Sequence, residues 1–310
     1  MSFTGQVVGS VVGRLPASMI RAMASQYAAG ASVEEAMAEV VSLEQRGIAS
    51  TVSVLGEAAS SEWYADKQVG ELRSVLTAVD AHGAPLDIHL GVKPTALGID
   101  VSHDLAVRSL TTVAGESEER GCIVEVDLEQ IDYVDATLDL VRTVRASHLN
   151  VYGVVQAYLH RSSNGVQALT REGIPTRIVK GTYKEPGRVA FQLYESIREN
   201  YIALVRSYLE SGVWVGIGTH DEFVIVKVLH LIKELGVSTD AYEFQMIMGI
   251  QETLRQSLVD AGHPVQVTVH FGTDLHLWSV RRLKENPEIA RYALTGLTGR
   301  ARERRHFTSR

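Results

Sequence analysis

The chain has 310 residues, enough for one barrel-sized domain with extra helices, and 45% apolar against 22% charged residues is an ordinary globular balance. A formal charge of −7, from 37 acidic and 30 basic side chains, speaks against nucleic-acid binding, which shows as a basic face. The single cysteine, Cys122, excludes an intramolecular disulfide and a Cys-rich zinc site, and no metal is expected.

The first residues, MSFTGQVVGSVVGRLPASMIRAM, carry no cationic start and are broken by Gly9, Gly13, Arg14 and Pro16, so they do not read as a signal peptide. No run of about 18 apolar residues occurs, so no membrane-spanning helix is expected. The default is a soluble cytoplasmic protein, with peripheral contact at the inner membrane left open. Residues 18–45 read as helical: Ser32 opens SVEEAMAEVVSLEQRG, with acidic residues in the first turn and Gly47 as a stop. Residues 1–48 are therefore expected to form an N-terminal helical arm.

From there short β-branched or apolar segments recur, at 49–56, 86–93, 122–128, 151–159, 176–181, 213–220, 242–247 and 265–272. Helix-sized amphipathic stretches such as LDLVRTVRA and EFVIVKVLHLIKEL separate them. Strands alternating with helices imply βαβ units and a parallel sheet, and eight such units predict an α/β fold of the closed (β/α)8 TIM-like kind over 49–294. The last residues, 295–310, have the composition of a flexible basic tail. No GxGxxG follows the first strand, so the usual dinucleotide fingerprint is missing.

In such a barrel the polar residues at the C-terminal ends of the strands face the site. Those ends supply Lys93, Asp127, Gln156, Arg177 with Lys180, Thr219 with His220, and Gln245. Cations can hold anions, amides can read the edge of a heterocycle, and one carboxylate completes the set. Neither GxSxG nor HExxH is present, so the chemistry suits a large anionic cofactor better than acyl transfer. After the eighth strand, HLWSVRRLKENP reads as a helix whose adjacent Arg281 and Arg282 can clamp a carboxylate through forked, charge-assisted bonds. Glu285 lies one turn on and can brace them. Read alone, the arginine pair would be solvated surface.

Seven motifs in order, GVKPTALGID (91–100), VDLEQ (126–130), VVQAYL (154–159), RIVKGTYKEP (177–186), GTHD (218–221), YEFQMIMGI (242–250) and WSVRRLKENP (278–287), resemble the FAD-dependent proline dehydrogenases of the monofunctional bacterial type. The resemblance runs from about Tyr27 to Pro287. It implies a distorted (β/α)8 barrel with FAD at the C-terminal face, oxidation of L-proline to 1-pyrroline-5-carboxylate by hydride transfer to flavin N5, and reoxidation by a quinone or oxygen. By resemblance Gln156, Arg177, Val179, Lys180, Gly181, Thr219 and His220 match FAD-binding positions. Lys93, Asp127 and Tyr183 match catalytic positions, and Lys93, Tyr183, Ile247, Trp278, Arg281 and Arg282 match the substrate pocket, with Glu285 behind the arginines. An ion pair between Lys93 and Asp127 is expected beneath the substrate.

The departures from the family pattern lie on the substrate side. Trp278 stands where a tyrosine is usual, His270 where a proline is usual, and Ile247 where a leucine is usual. Met248 replaces a polar or aromatic residue, and Thr182 an alanine. Tryptophan is larger than tyrosine and donates only through its indole N–H, so pocket volume and hydrogen bonding both change. Two alternatives follow: oxidation of a different secondary or N-modified amino acid, or a non-catalytic flavin-binding module. Oligomeric state is left open.

Overall fold

The computed structural model of the protein describes residues 27–56 and 58–273. Among them eight strands close into a barrel in chain order, β1 to β8, every neighbour parallel. They are β1 (Ala49–Val54), β2 (Ile88–Val92), β3 (Ile123–Val126), β4 (Val151–Gln156), β5 (Thr176–Val179), β6 (Val215–Gly218), β7 (Tyr242–Ile247) and β8 (Val265–Phe271). Each falls inside a segment expected to be a strand. The predicted (β/α)8 barrel is the fold observed.

The helices form the outer layer: α1 (Val33–Glu44), α2 (Glu62–His82), α3 (His103–Glu118), α4 (Val134–Arg145), α5 (Ser162–Arg171), α6 (Tyr194–Ser211), α7 (Glu222–Leu235) and α8 (Glu252–Asp260). Their punctuation is local chemistry. Ser32 and Glu35 form a reciprocal capping box at the start of α1, and Asp221 caps α7 by accepting the Phe223 N–H at 3.1 Å. Among the described residues, no helix is long and apolar enough to cross a membrane.

Because strand side chains alternate, each strand offers one row to the helices and one to the barrel interior. The helix-facing row is apolar and fully buried, as at Leu90, Val124, Ile178, Ile217, Phe244 and Val267. The interior row is largely polar: Thr51 donates to Gln266, and Glu125 on β3 meets Gln245 on β7 and Arg177 on β5. Thr51 and Gln266 bridge the neighbouring β1 and β8 where the barrel closes, whereas Glu125 reaches strands that do not adjoin its own, so its contacts cross the lumen. Gly216 on β6 leaves the room they need, since a Cβ there would stand 3.0 Å from the Gln245 amide carbon.

The segment expected as an arm is held to the barrel. Ala29 N–H donates to His270 O at 2.8 Å, Gly272 N–H donates to Gly30 O at 3.1 Å, and α1 buries Ala36, Met37, Val40 and Leu43 in the core of the barrel itself. Residues 1–26 and the expected tail, 295–310, lie outside the described residues.

Leu43 is fully buried while its neighbour Glu44 is exposed. Leu43→Ala is expected to lower unfolding stability by about 2–5 kcal/mol, and Glu44→Ala by less than about 0.5 kcal/mol, read from urea-denaturation midpoints.

Candidate active site

A cavity of about 270 Å³ opens at the C-terminal ends of the strands. Lys93, Asp127, Tyr183 and Ile247 line it, and so do Gln156, Arg177, Val179, Lys180, Gly181, Thr219 and His220. Of the departures from the family pattern, Thr182 and His270 line it as well as Ile247. Met248 does not; it packs, half-buried, against the core, and its N–H donates to Thr268 O at 3.2 Å. Trp278, Arg281, Arg282 and Glu285 lie outside the described residues.

Hydrogen bonds between loops position the mouth. Glu129, three residues past β3, accepts both the Thr95 N–H at 3.0 Å and its hydroxyl at 2.9 Å, which ties the loop of Lys93 to that of Asp127. Burial raises the Glu129 carboxyl above its ordinary pKa. Glu185 accepts the Ile131 N–H at 2.9 Å and so fastens the loop that carries Tyr183 to the loop after β3.

The charges pair differently from expectation. Asp127 takes the Arg177 guanidinium as its partner, not Lys93, whose ammonium donates to Gly56 O at 3.4 Å. Arg177 reaches Asp127 because both side chains point into the lumen, and the arginine stem spans the gap from β5. The same guanidinium lies 3.0 Å from Glu125. Burial by itself would raise the Glu125 carboxyl, but Arg177, His89 and Gln245 hold it down at about 2. Burial disfavours charge on His89 too, yet Glu125 at 3.1 Å outweighs it and raises the imidazole pKa. Glu243, which accepts from Gln245 at 3.0 Å, has no such cation in contact among the described residues, and burial pushes its carboxyl up to about 7.

A second cluster sits beside the cavity. Asp221 accepts from Lys180 at 2.6 Å, from Tyr194 at 2.7 Å, and from Arg198 through both oxygens at 2.7 and 2.8 Å. Burial alone would raise its pKa; these donors keep it well below the usual carboxylate range. Lys180 and Arg198 also each lie over the Tyr194 ring, 4.3 Å from its centroid. His220 accepts the Ile247 N–H at Nε2, 2.8 Å away, so the proton of the neutral ring is on Nδ1. Burial and the Lys180 charge lower its pKa to about 4, which keeps it neutral.

The polar atoms left over indicate what the cavity can take. Gln156 uses its amide N–H on Leu128 O at 2.8 Å, but its Oε1 is buried without a partner among the described residues, as are Gln245 Oε1 and Arg177 Nε. All three residues line the cavity, and two amide acceptors with a cationic donor suit a flat heterocycle with N–H and carbonyl groups along its edge, as an isoalloxazine has. Gly181, at φ +110°, lets the backbone run close over the Tyr158 ring, since a Cβ there would fall 2.2 Å from a ring carbon. A flavin therefore fits the residues present.

Sequence reasoning singled out the cavity wall but not its supports: Glu125, His89, Glu129 and Glu243. A signal for Glu125 existed, because it lies two residues from Asp127 and so shares its face. Asp221 could be read as loop surface, yet it is buried and is the hub of its cluster.

A closed (β/α)8 barrel with a polar, cation-bearing cavity at the mouths of its strands is the architecture of a barrel enzyme. The chain belongs to the proline dehydrogenase family, whose sequence model, described as "Proline dehydrogenase", matches residues 36–292. It is 31% identical over 279 residues to "Proline dehydrogenase 2" of Bacillus subtilis (strain 168), covering 90% of this chain and 91% of that protein. It is 30% identical over 282 residues to "Proline dehydrogenase" of Deinococcus radiodurans, covering 89% of this chain and 90% of the other. Its fold is similar to that of proline utilization A (PutA) from Bdellovibrio bacteriovorus inactivated by N-propargylglycine, with a TM-score of 0.78, 24% identity and 86% of this chain covered. The chain spans only 33% of that longer protein.

A carboxyl that keeps its proton in the fold and loses it in the unfolded chain favours the fold at low pH. With Glu243 raised from 4.5 to about 7, that advantage is withdrawn as pH climbs through this window. Wild type is expected to lose about 2.5 kcal/mol relative to Glu243→Gln between about pH 5 and about pH 8, measured by urea denaturation.

Proposed function

We propose that the chain oxidises L-proline to 1-pyrroline-5-carboxylate with FAD held in the cavity at the strand ends. The observation that carries this reading is the family match over residues 36–292, which spans all eight strands. The buried, unsatisfied acceptor of Gln156 and the cations Arg177 and Lys180 on the same wall support the cofactor assignment.

When bound, FAD supplies the oxidising power by accepting a hydride from the carbon beside the proline nitrogen. The chain's own residues bind, orient and shield. In this reading Gln156 and Arg177 hold the ring edge, Lys180 faces the diphosphate, and Val179, Gly181 and Thr219 supply close backbone and hydroxyl contacts. Neutral His220 adds a donor at Nδ1 without adding charge.

Lys93, Asp127, Tyr183 and Ile247 form the substrate end. Ile247 and the Tyr183 ring give an apolar wall for the ring methylenes, and water kept out of that wall strengthens the neighbouring charges. Arg281 and Arg282 clamp the carboxylate, with Glu285 orienting them and Trp278 packing over the substrate ring. The acceptor belongs to the same proposal: a quinone, reached at the inner-membrane surface by a cytoplasmic protein, or dioxygen.

Anaerobic addition of L-proline is expected to bleach the flavin absorbance of the purified protein with saturable kinetics. No bleaching by proline, with bleaching by another secondary amino acid, would transfer the reading to that substrate. Arg281→Met and Arg282→Met are each expected to raise KM for proline roughly 10- to 100-fold, the worth of a charge-assisted bond, while FAD content stays at wild-type level. Parallel loss of flavin and activity in both would make the arginines structural.

A further inference from the structure

Glu125 is wholly buried and does not reach the cavity, yet it touches Arg177, one of the cations of the cavity wall. One of its oxygens is 3.0 Å from Arg177 Nη1. The other accepts from Gln245 Nε2 at 2.7 Å and lies 3.1 Å from His89 Nδ1. The carboxylate is therefore held by β2, β5 and β7 as well as by its own strand.

Asp127, the other anion on Arg177, is placed differently. It lines the cavity, and its side chain keeps 29% of its surface accessible. A bound substrate or the nearby Lys93 can compete for it. Arg177 thus has one exchangeable anion at the rim and one permanent anion below, and only the permanent one keeps the guanidinium in place when the rim contacts change.

We infer that Glu125 is a positioning residue that holds the Arg177 guanidinium toward the cavity and, by cancelling part of its charge, sets the reduction potential of the flavin bound there. The inference rests on the flavin reading above. Reduction adds electron density to a flavin ring, so an uncompensated cation beside the ring favours the reduced form. A permanent carboxylate behind that cation weakens the preference. Between buried groups the effect is little screened by salt.

The test is the midpoint potential of bound FAD at about pH 7 in the wild-type holoprotein, Glu125→Gln and Glu243→Gln. Glu243 is the control, a buried carboxyl of the same cluster that bonds Gln245 and does not touch Arg177. Both variants are expected to retain FAD. Glu125→Gln is expected to move the potential positive by about 30 mV or more, a tenfold gain in affinity for reduced over oxidised flavin, while Glu243→Gln stays near wild type. An unmoved potential in Glu125→Gln, or equal shifts in both variants, overturns the inference. A second measurement does not depend on that variant folding: a crystal structure of the FAD-loaded wild type must keep Arg177 within hydrogen-bond distance of Glu125. A broken contact there overturns the inference even if the flavin reading stands. Wild-type protein that binds no FAD would instead defeat the flavin reading itself.

Discussion

A guanidinium cannot shed its proton, so an arginine that points into a closed barrel must be neutralised where it stands. Much of the interior of this protein follows from that requirement at Arg177. Glu125 and Asp127 supply the negative charge, His89 and Gln245 fix Glu125, and Gln245 in turn brings in Glu243. The lumen below the cavity is therefore a connected polar layer rather than the stacked aliphatic layers usual in such barrels. Cohesion comes from the opposite row of each strand, where valine, leucine and isoleucine pack against the helices.

A polar lumen has a functional use. In a flavoprotein the cofactor carries the redox chemistry, and the protein contributes position and electrostatics. Groups fixed from several strands at once lose little freedom when a ligand arrives, so less of the binding energy is spent on ordering them. The same economy appears at the rim. Glu129 joins the loops after β2 and β3, Glu185 joins those after β3 and β5, and Asp221 gathers Lys180, Tyr194 and Arg198 at the start of α7. The loops that bear the wall residues are thus held by side-chain carboxylates in addition to the barrel.

Much of this was legible in the amino-acid order. Eight β-branched segments separated by amphipathic ones allowed little besides a closed parallel barrel, and strand-end polarity indicated Lys93, Asp127, Gln156, Arg177, His220 and Gln245, all of which line the cavity. Pairing was less legible. The expected Lys93–Asp127 contact gave way to Arg177–Asp127, because distance across a lumen depends on how eight strands close and not on spacing along any one of them. His89 passed as an ordinary strand residue for the same reason: its partner, Glu125, is on another strand.

By itself the sequence determined the period of the strands, the helix punctuation at Ser32, and membership of the family through motifs strung along the chain. These are local properties, set by alternation and capping chemistry within a few residues. Only the tertiary structure decided which carboxylate answers which cation, that Asp221 is a buried hub, and that Glu125 lies beneath Arg177 out of reach of the cavity. Those outcomes depend on desolvation and on distances across the barrel, which exist only once the first strand has met the last.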